Sequence, residues 1–139
     1  MGNRRVAILG AGSFGTALAS VLGSKGLDVR IWAREAEIVD GIQTNHINPT
    51  YLTDLPLAET IRAFHDPADA LRDAELVLFA IPTQAIRVAA TAIKKYLTGR
   101  ETVVTVAKGI EGDTLLTPSR ILSEVLHPII PKQQIGVLT

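Results

Sequence analysis

Val6-Ala7-Ile8-Leu9-Gly10-Ala11-Gly12-Ser13-Phe14-Gly15 decides the fold. The first four residues are apolar without alternation, the pattern of a short strand buried on both faces. Three glycines follow in G-x-G-x-x-G spacing. From Ser13 to Lys25 the apolar residues Phe14, Ala17, Leu18, Val21 and Leu22 recur at helical spacing, and Gly26 stands in the position of a helix C-cap. A strand that passes through this turn straight into a helix is the context that makes the spacing informative. Gly10 permits the tight turn, Gly12 lets a diphosphate approach the backbone, and Gly15 lets the helix pack closely on the strand. The amides around Ser13, Phe14 and Gly15, at the positive end of the helix, then face an anion. The motif therefore predicts a dinucleotide bound through its pyrophosphate. No Gly-Lys-Ser/Thr follows the glycines, so a P-loop would lack both its lysine and its Mg²⁺ ligand.

The rest of the chain repeats this alternation. Val29–Trp32, Ile61–Phe64, Leu76–Ile81, Thr102–Val106 and Ile135–Leu138 read as further strands. Helices are predicted over Glu35–Thr44, from Pro67 through Leu71 with Asp66 as N-cap, over Thr83–Tyr96 with Ile86, Ala89, Ala90 and Ile93 on its apolar side, and over Pro118–Leu126. Asn45–Pro56 is polar, holds two prolines and reads as a loop. Strand–helix alternation with short connections argues for an α/β, doubly wound parallel sheet of the Rossmann type with helices on both faces. No linker divides the chain, so residues 1–139 are expected to be one nucleotide-binding domain. The last residue follows directly on a strand, which suggests a fragment of a longer enzyme.

Composition narrows the function classes. Hydrophobic residues make up 47% and charged residues 20%, as in a globular domain with a true core. Fourteen basic and fourteen acidic residues cancel, which argues against a nucleic-acid partner. There is no cysteine, so disulfides and thiolate metal sites are excluded. No run is long enough to span a bilayer as a helix, and no membrane association is expected. The expected compartment is the cytoplasm. His46, His65 and His127 have no metal-ligand spacing, and none sits with a nucleophile. The scattered carboxylates read as solvated faces.

Cofactor choice turns on the end of the second strand. In NAD-specific domains an acidic residue there binds the ribose 2′-hydroxyl. Here Ala33 takes that place and Arg34 follows, and a guanidinium suits a 2′-phosphate in geometry and charge. The expectation is NADP, with NAD possible through Glu35. Ligands of open α/β sheets lie beyond the carboxyl ends of the strands. Two further segments end there. Phe79-Ala80-Ile81-Pro82-Thr83 could wall the site, or could be only a buried strand stopped by proline. Lys108-Gly109 follows an apolar strand, and its ammonium could bind a substrate phosphate or polarise a carbonyl, or could simply be solvated.

Taken together, these residues resemble a known family. Val6 to Ala19, then Trp32-Ala33-Arg34, Asn48-Pro49-Thr50-Tyr51-Leu52, Ala80-Ile81-Pro82-Thr83 and Val106-Ala107-Lys108-Gly109-Ile110-Glu111 are similar, in order and spacing, to bacterial NAD(P)-dependent glycerol-3-phosphate dehydrogenase. The resemblance implies reversible reduction of dihydroxyacetone phosphate to sn-glycerol 3-phosphate, feeding glycerophospholipid synthesis. It implies cofactor contacts at Gly10, Gly12, Ser13, Phe14, Gly15, Arg34, Tyr51 and Lys108, with Lys108 also touching substrate. It places the catalytic lysine in a C-terminal helical domain beyond Thr139, so none of the 139 residues is expected to be catalytic and the isolated chain is expected to be inactive. The longer enzyme is expected to be a homodimer. Competing readings are a ketopantoate, 6-phosphogluconate or 3-hydroxy acid dehydrogenase, and a non-catalytic nucleotide-sensing module. The Ala-Lys-Gly-Ile-Glu and Asn-Pro-Thr-Tyr-Leu segments argue against the first group, and Ala33-Arg34 against the second.

Overall fold

A computed structural model describes residues 4–139; the first three residues of the expected domain lie outside the described residues. Strand β1 (Arg5–Leu9) runs through the glycine turn into α1 (Ser13–Ser24). There follow β2 (Asp28–Trp32), α2 (Ala36–Asn45), β3 (Ile61–Phe64), α3 (Pro67–Leu71), β4 (Leu76–Phe79), α4 (Thr83–Ile93), β5 (Thr102–Thr105), α5 (Pro118–Leu126) and β6 (Ile135–Val137). All six strands are parallel, in the order β3-β2-β1-β4-β5-β6. This is the doubly wound order expected of a Rossmann sheet.

The unbroken apolar run of β1 has its reason in two cores. Val6 and Ile8 point to one face, where they join Val29, Ile31 and Leu78 beneath Ala19 of α1 and Ile38, Val39 and Ile42 of α2. Ala7 and Leu9 point to the other, with Val77, Phe79 and Val103 beneath Ile86, Ala90 and Ile93 of α4 and Ile121, Leu122 and Leu126 of α5. A strand flanked on both faces has no polar side to show. Burying each of these large side chains stabilises the fold by about 1.5–3 kcal/mol.

The element boundaries differ from expectation at their ends. The fourth helix unwinds into a 3₁₀ turn over Lys94–Tyr96, and β4 stops at Phe79 rather than Ile81. The reason at β4 is a bend in the chain at Ile81. Its last ladder positions are followed by a chain that bends away, with the Ala80 amide still donating to the Leu9 carbonyl at 2.9 Å. Asp66 caps α3 as predicted, accepting from the Ala68 amide at 2.9 Å.

The reading of all carboxylates as solvated needs correction. Glu101 and Glu111 are buried, at 2% and 8% exposure. Glu101 accepts from the Thr98 and Gly99 amides and closes the turn before β5. Glu111 has a partner in α4, described below. Burying a carboxylate is tolerated because each has these partners.

Candidate functional site

The carboxyl ends of β1, β2 and β4 meet where the strand order reverses, and an open cleft of about 650 Å³ lies there. Such a switch point is where open α/β sheets bind ligands. Backbone hydrogen bonds tie the turn to its neighbours: Gly10 N–H donates to the Trp32 carbonyl at 2.9 Å, beside the Ala80–Leu9 bond.

The three glycines have different reasons. Gly10 has φ of +115°, and a Cβ there would run into the Ala80 carbonyl. A Cβ on Gly15 would strike the Gly10 carbonyl and lie 3.3 Å from Ala80 Cβ. Packing of the protein against itself therefore requires both. A Cβ on Gly12 would meet nothing within 4 Å, and Gly12 lines the cleft. Helix α1 has no side-chain cap and no acidic residue in its first turn. Its leading amides and dipole thus face open space without a competing acceptor or carboxylate. Ser13 and Phe14, at this end, are both exposed.

Of the expected residues, Gly10, Gly12, Arg34 and Tyr51 line one cleft. Ser13, Phe14 and Gly15 adjoin it in the turn. Lys108 does not line it. It sits on the neighbouring loop after β5, exposed, with its carbonyl accepting from Thr83 Oγ1 at 2.7 Å. Arg34 and Glu35 are both exposed on the cleft wall, so a cation and a carboxylate are both available at the end of β2.

Sequence reading missed several parts of this wall. Trp32 lines it, its indole oriented by donation to the His65 carbonyl at 2.8 Å. Ala85, Val88, Ala89 and Ala92 of α4 line it as well. Their spacing makes a second, small-residue stripe on a helix whose larger apolar stripe faces the core. The signal available in the sequence was that spacing, with Ala85, Val88, Ala89 and Ala92 at i, i+3, i+4 and i+7.

Two loops flank the turn, and each has a buried anchor that the motif reading passed over. Asn48, fully buried, reaches under the glycine turn. Its Nδ2 donates to the Ala11 carbonyl and to Thr16 Oγ1, both at 2.9 Å. Its Oδ1 accepts from the Thr50 and Tyr51 amides, also at 2.9 Å. On the other side, Glu111 receives three hydrogen bonds from the Arg87 guanidinium at 2.9–3.1 Å, and one from Thr114 Oγ1. Those bonds from Arg87, then that from Thr114, hold the Glu111 carboxyl below its ordinary pKa. Arg87 also donates to Glu124 at 2.9 Å. Gln84 adds a bond to the Ile110 carbonyl at 3.0 Å. The loop bearing Lys108 is thereby fastened to α4.

A family model described as the N-terminus of NAD-dependent glycerol-3-phosphate dehydrogenase matches residues 5–139. The chain belongs to this family. A glycerol-3-phosphate dehydrogenase [NAD(P)+] of Myxococcus xanthus is 44% identical over 130 residues, covering 91% of this chain and 39% of the relative. One from Corynebacterium aurimucosum is 44% identical over 134 residues, covering 96% and 40%. The crystal structure of glycerol-3-phosphate dehydrogenase from Coxiella burnetii superposes with a TM-score of 0.83 at 33% identity, covering 89% of this chain and 38% of that one. The chain spans about two fifths of the length of these glycerol-3-phosphate dehydrogenases. Among the described residues, no helix is long and apolar enough to cross a membrane.

Proposed function

We propose that the cleft binds a nicotinamide dinucleotide, and that the chain is the cofactor-holding part of an NAD(P)-dependent glycerol-3-phosphate dehydrogenase. The observation that carries this is the uncapped α1 terminus beside Gly12, the one motif glycine that the protein's own packing leaves free. A diphosphate fits there because the donors are backbone amides and no carboxylate stands in the first turn. The small-residue stripe of α4 and the Trp32 edge offer an apolar wall for flat rings.

A nicotinamide held here would supply hydride chemistry toward a substrate carbonyl. This chain's residues bind and orient. Ser13 and Phe14 present their amides at the turn. Arg34 meets the adenosine 2′-phosphate, which favours NADP over NAD. Tyr51 closes the cleft on the α2 side. Lys108, on its fastened loop, contacts cofactor and the phosphate or carbonyl of dihydroxyacetone phosphate. By the family resemblance, the proton for the carbonyl oxygen would come from a lysine of the longer enzyme. The isolated chain is therefore expected to bind cofactor without turnover, since hydride transfer needs both a proton source and a held substrate. The whole enzyme would act as a cytoplasmic homodimer supplying sn-glycerol 3-phosphate for phospholipid synthesis.

Energy transfer from Trp32, the single tryptophan, to bound reduced nicotinamide tests this directly. NADPH should bind more tightly than NADH, and Arg34→Asp should weaken NADPH by about tenfold or more, the scale of one lost hydrogen bond to a charged group. Equal affinities in the native chain overturn the NADP preference. Gly12→Ala should keep the fold and lose the cofactor, whereas Gly10→Ala should lose both.

A further inference from the structure

Asn48 uses its whole hydrogen-bonding capacity, two donors and two acceptor sites, on two distinct parts of the cleft. The donors go to the inside of the glycine turn and the first turn of α1. The acceptor goes to the two amides that lead into Tyr51. The Thr16 hydroxyl belongs to the same cluster. It is fully buried and leans toward the Ala11 carbonyl at 3.4 Å. The loop itself is closed at its base, with Leu57 N–H donating to the His46 carbonyl at 2.8 Å. Pro49 rests on Gly41 of α2, where a Cβ would come within 2.6 Å of the proline ring. Between these supports the Tyr51 ring, 42% exposed, stands on the cleft wall.

We propose that Asn48 is a positioning residue for cofactor binding, one that joins the phosphate-facing turn and the Tyr51 wall into a single unit. The proposal rests on the reading of the cleft as a dinucleotide site. Three observations carry it. Asn48 contacts both walls but does not itself line the cleft. Its partners Ala11 and Thr16 are 37 and 32 residues away in sequence, so the bonds are tertiary. And both its ends terminate on cleft elements rather than in the core. A side chain that only filled space would need neither pair of bonds.

Coupling of this kind has a signature in a double-mutant cycle. Asn48→Asp keeps the acceptor for the Thr50 and Tyr51 amides but places an oxygen against the Ala11 carbonyl. With folding checked by circular dichroism, it should weaken NADPH binding by about tenfold, and Tyr51→Ala should do the same to within a few fold. Together they should cost little more than either alone, a coupling of at least about fivefold. Additive losses, or an Asn48→Asp affinity within twofold of the native chain, overturn the positioning role and leave the cleft reading intact. Failure of the native chain to bind NADPH overturns the cleft reading itself. The native chain supplies a second test that needs no variant. NADPH should slow hydrogen exchange at the Thr50 and Leu57 amides together with Gly12 to Thr16. Protection confined to the glycine turn overturns the proposal.

Discussion

The two loops beside the glycine turn solve one problem with opposite chemistry. The loop carrying Tyr51 is anchored by a neutral amide, Asn48, buried completely against backbone and hydroxyl groups. The loop carrying Lys108 is anchored by a carboxylate, Glu111, buried beneath the partly exposed Arg87 guanidinium that holds it. The Asn48 anchor is neutral, and an ion in its place would have to lose its water with no opposite charge beside it, a large cost. Glu111 has the Arg87 guanidinium beside it, so it can be ionic and gains charge-assisted bonds. The difference predicts a rigid wall at Tyr51 and a condition-sensitive loop at Lys108, next to the cleft.

The largest effect should come from breaking the neutral anchor. Asn48→Ala leaves the Thr50 and Tyr51 amides without their part-buried acceptor, and the buried Thr16 hydroxyl with only its 3.4 Å contact to the Ala11 carbonyl. The expected loss of stability is about 2–4 kcal/mol, several unmade hydrogen bonds minus relaxation. A urea titration should show the midpoint falling with an unchanged slope. A loss under about 1 kcal/mol would mean that water reaches these groups, and that the two loops differ less than described.

Breaking the ionic anchor should be milder and more local. Glu111→Gln keeps the shape but removes the charge that Arg87 engages through three hydrogen bonds. Leu115, whose backbone stands at φ of +61°, is held in that loop by its N–H, which donates a hydrogen bond to the Glu111 backbone carbonyl at 2.8 Å. Hydrogen exchange at Gly112 and Leu115 should quicken in the variant, while Thr50 and Tyr51 stay protected. Equal acceleration in both loops would show that they open together.

Much of this architecture was readable before the structure. The glycine turn, the six strands and the doubly wound class follow from apolar runs and helical spacing, because both are local patterns. Arg34 was expected near the turn from the end of the second strand and Tyr51 from family likeness, and both line the cleft, while their contact with a cofactor is the proposal made above. The anchors were not readable. Asn48 lies in a stretch whose prolines and polar residues predict an exposed loop, and its burial depends on groups brought near only by the crossover. Glu111 looks like any surface carboxylate until Arg87, 24 residues earlier, is folded against it. The α4 stripe was hidden for a different reason. A helix with two apolar faces reads as having one, since the larger residues dominate the pattern.

Acidification should separate the loops by the smallest but most selective effect. The folded state holds the Glu111 carboxyl below its ordinary value through Arg87 and Thr114. A lowered folded pKa means that the ionised form is the stabilising one. Its contribution is complete above the ordinary glutamate value of about 4.3 and drains away as the pH falls through the lower folded value. Asn48 does not titrate, so its four bonds persist through the same range. Exchange at Gly112 and Leu115, corrected for the intrinsic pH dependence of amide exchange, should therefore quicken as the pH falls below the ordinary glutamate range, while Thr50 keeps its protection. Glu111→Gln should abolish that acid step, having already lost the charge. An acid transition in Thr50 of the same midpoint would mean that the Tyr51 loop leans on the ionic anchor after all. The rigid wall would then be rigid only through its neighbour.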